Sequence, residues 1–184
     1  MTLKKLNALV TWLAMLSLLG HMVTMTYSLL TGWYDFTICK GLAYCTAITV
    51  GAHVLIVLII FFFQHDGAST RYAKLNARTI EQRASALVVL LLLHAHVKSF
   101  GFIVAGAPVS LLTKILIIVT EVLFFTAIFS HVVTSFSRSL ITLGLIRSDE
   151  AEERITKIVS RTCTVMLVII CLALIRFVVM WPTA

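Results

Sequence analysis

Charge is scarce in this chain. Of its 184 residues, 12% are Asp, Glu, Lys or Arg, against 60% hydrophobic, and the mean hydropathy is +1.02. That balance excludes a soluble protein. Five apolar segments, near residues 9–30, 41–63, 84–105, 111–136 and 158–181, take up most of the sequence. The polar stretches left over are too short for a soluble catalytic domain. Other absences narrow the chemistry further. There is no nucleophile–base arrangement, no phosphate-binding glycine loop and no zinc-ligand spacing. The four cysteines, Cys39, Cys45, Cys163 and Cys171, form no CxxC pair. Cys39 and Cys45 sit at one end of the second segment, where oxidation is feasible, but small buried apolar side chains are the simpler reading. No internal repeat and no low-complexity tract is present.

What is there reads as an all-α membrane protein. A helix of roughly 20 apolar residues crosses the ~30 Å hydrocarbon core, and each segment is long enough. The expectation is a five-helix bundle forming one domain over 1–184. Lys4 and Lys5 ahead of the first segment suit a signal peptide, but that run is too long, lacks a small-residue cleavage site and contains His21. It reads as a retained helix. The net charge of +7 reads as topology rather than nucleic-acid binding. Lys4 and Lys5, then Arg71, Lys74, Arg78 and Arg83, then Arg138, Arg147, Arg154 and Lys157 all fall on one side, which the positive-inside rule makes cytoplasmic. The N-terminus is then inside and the C-terminus outside, in a multi-pass protein of the inner (cytoplasmic) membrane. The basic loop 64–83 and the charged turn 147–154 are either solvated loops or a docking platform for a soluble partner. Acids at the start of the fifth helix suit its dipole.

Four of the five segments carry a histidine deep inside: His21, His53, His96 with His94 beside it, and His131. Imidazole is costly in hydrocarbon, so such residues face the bundle interior and mark function. One alone reads as an interhelical hydrogen bond. Four, on four helices, suffice to hold two haem irons from both sides. At 1.5 Å per residue from the cytoplasmic charges, His21 lies about 24 Å deep, His96 and His53 about 20 Å, and His131 about 10 Å. His21 and His96 therefore pair by depth, and His53 pairs with His131 by elimination. Residues 7, 11 or 14 apart return to one helical face. On that basis Asn7 shares a face with His21, Gln82 with His96, Gln64 with His53 and Arg138 with His131. Polar groups there suit haem propionates, Arg most of all; ordinary polar helix ends are the alternative. His94 and His96 point about 200° apart, and Gln82 favours His96 as the ligand, with His94 as its alternative. His65 reads as interfacial. Lys98, Glu121 and Arg176 lie about 22 to 26 Å from the cytoplasmic side, so Glu121 is expected to pair with Lys98 or Arg176.

These residues resemble the di-haem cytochrome b subunit of succinate:quinone oxidoreductases, the single-chain anchor type that includes menaquinol:fumarate reductases. The matching pieces are Leu19-Gly20-His21-Met22, Ala52-His53, the Gln82 to His96 spacing, and His131 followed by Arg138 and a short basic loop. The likeness runs over essentially the whole chain. It implies one b haem on His53 and His131 nearer the cytoplasm, and a second on His21 and His96 nearer the outside. It also implies a flavoprotein and an iron–sulfur protein docked on the cytoplasmic face. Electrons would pass between them and a quinone, menaquinone rather than ubiquinone. With both axial positions taken, neither haem binds oxygen.

The chain departs from the family at three places. Phe129 stands where some members carry a proton-conducting glutamate, Thr142 where a basic residue is usual and Ser135 where glycine is usual. These departures count against a proton pathway of that kind without deciding it. Asp35, beside Trp33 and Tyr34, and Glu121 are the acids available to a quinone site. Two rival readings stay open: the di-haem b anchor of a nitrate reductase, formate dehydrogenase or hydrogenase, and a haem-free helical transporter or assembly protein.

Overall fold

A computed structural model describes residues 2–63, 73–106 and 108–183, and their side chains apart from 73–78 and 104. Five helices account for almost all of it: α1 Leu3–Thr31, α2 Phe36–Phe63, α3 Ala73–Ala105, α4 Leu111–Leu143 and α5 Asp149–Met180. All five carry stretches long and apolar enough to cross a membrane. The chain is an all-α, multi-pass membrane protein. Among the described residues the sole extended pairing is one bridge between Val109 and Thr183.

The helices overrun the apolar segments because hydropathy marks hydrocarbon, whereas caps mark helix ends. Thr2 caps α1 by accepting from the Lys5 amide at 3.3 Å. Gly32, at φ 75°, stops it by donating to the Ser28 carbonyl. Ser148 caps α5, accepting from the Ala151 amide at 3.2 Å, and Asp149, Glu150 and Glu152 occupy its first turn. The fifth helix thus starts well before its apolar stretch. The fourth runs on to Leu143, where Gly144 at φ 78° donates to Ile141 and Leu145 donates to Leu140. At 33 residues, α4 is roughly 50 Å long, well beyond the hydrocarbon thickness.

The chain divides into two compact units. The first comprises Met1–Asn76 and Phe136–Ile155. In it α1 and α2 form an antiparallel hairpin joined by residues 32–35. Ser28 meets Cys39 at 3.9 Å near the turn, and Ser17 meets Thr49 at 2.8 Å further along. Small residues line this seam: Ala8, Thr11, Ala14 and Ser28 are buried on α1, and Cys39 on α2. Close backbone approach, not hydrophobicity, holds membrane helices together, since lipid is as apolar as Leu. Trp12 packs on Phe136 at 5.0 Å between centroids.

The second unit comprises Ala77–Ser135 and Thr156–Ala184. Its core is a stripe of α4 (Ile117, Phe124, Ile128) and one of α5 (Ile170, Leu174, Val178), with Ala173 and Val178 fully buried. The end of the chain folds back on the start of α4. Lys114, itself buried, donates to the Trp181 carbonyl and, at 2.8 Å, to the Thr183 hydroxyl. Ala173 has no room for a larger side chain. Ala173→Leu is expected to cost about 1–3 kcal/mol by overpacking and to lower the thermal midpoint in detergent. Val179→Leu, at a 69% exposed position, is expected to leave it unchanged.

Candidate functional site

In the first unit, His53 is half-buried on α2 and turns Nδ1 toward α1. Asn7 Oδ1 lies 3.0 Å from that nitrogen and Thr11 Oγ1 3.1 Å. The Thr11 hydroxyl donates its own proton to the Asn7 carbonyl at 2.8 Å, so its oxygen faces His53 as an acceptor. Two acceptors at Nδ1 put the ring proton there and leave the lone pair on Nε2. Asn7, which helical spacing sets on the face of His21, reaches across the hairpin to His53. Thr11 was missed from the sequence. Its position one turn after Asn7 was the available signal. His21 and Arg138 are both half-buried in this unit. Gln64 lies outside the described residues.

In the second unit, His131 on α4 donates Nδ1–H to the Gln82 carbonyl of α3 at 3.0 Å. Ser85 Oγ stands 3.4 Å from the same nitrogen and donates to the same carbonyl. The Gln82 side chain donates to Ser135 Oγ at 2.9 Å, and that oxygen lies 3.4 Å from His131 Nε2. Gln82, matched by spacing to His96, therefore serves His131 with both its main chain and its side chain. Ser135 takes part as well.

Higher on the same two helices, His96 Nδ1 meets Glu121 Oε2 at 2.8 Å. The expected ion pair of Glu121 with Lys98 or Arg176 is not what forms: His96 takes the carboxylate. Lys98, like His94, lies on the exposed side of α3, about 200° round from His96. Glu121 is 4% exposed on the buried stripe of α4. Its Oε1 is also buried and has no hydrogen-bond partner among the described residues. Phe124, one turn on, stacks against the His96 ring at 4.5 Å and 22°, and Phe125 meets it edge-on.

Asp35, the other acid offered for quinone, has a helix-end role. Its Oδ1 accepts from the Ile38 amide at 2.9 Å and so caps α2. In the second unit a cleft of about 220 Å³ opens among α3, α4 and α5. Glu81, Ser130 and Ser160 supply its polar wall, and Phe129 and Leu167 its apolar one.

Three histidines thus have Nδ1 tied to an acceptor on a neighbouring helix, which is how proteins orient imidazole for metal ligation through Nε2. Among the described residues no three His, Cys, Asp or Glu side chains converge. Comparison with protein-family models, curated proteins and solved structures gave no match.

The hairpin bond has a measurable consequence. Asn7 and Thr11 back each other up at one nitrogen, so Asn7→Leu or Thr11→Val alone is expected to cost little. The double variant leaves His53 Nδ1 without its acceptors and is expected to lose about 1–3 kcal/mol, more than the sum of the single losses. Thermal unfolding of all three in detergent checks this.

Proposed function

We propose that this chain is the membrane-anchor and electron-transfer subunit of a succinate:quinone or quinol:fumarate oxidoreductase. The observation that carries the reading is the second layer around the histidines. His53, His96 and His131 each present Nδ1 to an acceptor, which makes Nε2 the nitrogen that would ligate a metal. As the resemblance implies, His53 with His131 would hold one b haem, and His21 with His96 the other. Asn7 meets His53 and Gln82 meets His131, and Arg138 would suit a propionate best. When bound, the haems supply one-electron transfer between a cytoplasmic iron–sulfur protein and quinone.

The residues around that chemistry bind and orient. Gln82 and Ser85 fix the ring of His131, Asn7 and Thr11 that of His53, and Glu121 with Phe124 that of His96. Glu81 and Ser130 directly precede Gln82 and His131 in the chain and line the polar cleft. Hydroxyl donors beside Phe129 suit a quinone ring there, with menaquinone preferred over ubiquinone. The N-terminus and the basic loops face the cytoplasm of an inner-membrane protein, where the flavoprotein and iron–sulfur subunits dock. Dicarboxylate chemistry belongs to those partners.

A second reading treats the same bonds as interhelical links in a haem-free bundle. The approach of Ser135 Oγ to His131 Nε2 favours it. A reduced-minus-oxidised spectrum of the protein purified with its native partners separates the two. Wild type is expected to carry two b haems per chain and His131→Ala one or none. A folded wild type with no haem overturns the proposal and leaves the histidines as packing residues. Orientation has its own test. In a cysteine-free background, Leu145→Cys is expected to react with an impermeant maleimide from the cytoplasmic side only, and Trp33→Cys from the outside only. The reverse pattern overturns the topology.

A further inference from the structure

The groups behind the histidines differ in kind. His53 has an amide oxygen and a hydroxyl, and His131 has a peptide carbonyl. Only His96 has a carboxylate. Resting on the haem reading above, we propose that Glu121 is a positioning residue that makes His96 the most strongly electron-donating of these ligands.

Three observations support this. The 2.8 Å separation of Nδ1 and Oε2 falls in the short range of charge-assisted hydrogen bonds. Such a bond draws the Nδ1 proton toward oxygen and raises the basicity of Nε2, as in carboxylate–histidine–metal arrangements. Glu121 is buried and Oε1 makes no hydrogen bond among the described residues, so its polar interaction is concentrated on His96 through Oε2. Phe124 stacked on the ring and Phe125 at its edge hold the imidazole plane, so the bond direction is fixed. None of these features is needed merely to join two helices, for which Ser or Thr pairs serve elsewhere in the chain.

The consequence is that the iron held by His96 is harder to reduce than one held behind neutral acceptors alone. Glu121→Gln keeps the side-chain length and an acceptor oxygen but removes the carboxylate. In the complex purified with its partners, an optical redox titration of Glu121→Gln is expected to show one of the two haem components easier to reduce. The expected change is about tenfold in its equilibrium constant, or about 59 mV for a one-electron couple. The other component and the haem-to-chain ratio should stay as in wild type. Asn7→Asp is the reciprocal variant, placing a carboxylate behind His53, and is expected to make the other component harder to reduce. Should Glu121→Gln fail to assemble, Asn7→Asp decides alone: a downward shift supports the proposal and an unmoved midpoint overturns it. Two haems with unmoved midpoints in Glu121→Gln overturn the proposal and leave the haem reading standing. A wild type without haem overturns both.

Discussion

Inside hydrocarbon a polar group has no water to fall back on, and each unsatisfied one costs several kcal/mol. That constraint governs most polar side chains along these helices; Glu121 Oε1, without a partner among the described residues, is an exception. Thr46, Thr49, Thr120 and Thr126 meet it locally, each donating to a carbonyl of its own helix. Imidazole and carboxylate cannot do so in the same way, because their polar atoms project further. They reach neighbouring helices instead. Asn7 and Thr11 meet His53, Gln82 and Ser85 meet His131, and Glu121 meets His96. Interhelical hydrogen bonds in membranes average only about 0.6 kcal/mol of stabilisation. Their main effect here is to set register, since a slip of one turn on either helix would strand two groups at once.

The same constraint explains what was legible in the sequence. Apolar runs of about 20 residues have few outcomes other than spanning helices, and five helices formed where five runs lie. Their ends were not legible from hydropathy. The fifth helix begins at Asp149 because Ser148 and three acids start it in water. The facing of the histidines was partly legible, because periodicity belongs to a single helix: His94 is exposed and His96 half-buried. Their partners were not, because register between helices depends on packing that one helix's periodicity does not encode. Asn7 and Gln82 do lie on inward faces, yet each serves a histidine of the adjacent helix.

Charge and depth alone point Glu121 to Lys98 or Arg176 rather than to the partner it meets, His96. The better signal was positional. Ile117, Glu121, Phe124 and Ile128 recur at helical spacing and are all buried. A carboxylate set in such a stripe meets whatever the neighbouring helix turns inward. On α3 that is His96, while Lys98 is turned outward about 200° away.

Several ionisable groups are accounted for by helix ends. Asp35 caps α2, the acids of 149–152 begin α5, and Lys114 ties the end of the chain to the start of α4. Each sits where an unpaired backbone group or a helix dipole makes a charge favourable. Glu121 has no such excuse. It lies ten residues into α4, where the helix bonds its own backbone and offers nothing to an acid. A carboxylate at membrane depth opposes insertion by about 2.5 kcal/mol or more on the most lenient scale. A single hydrogen bond at the interhelical average does not offset that. Burial of Glu121 is therefore a stability cost that the fold carries, and the one hydrogen bond it makes among the described residues goes to His96.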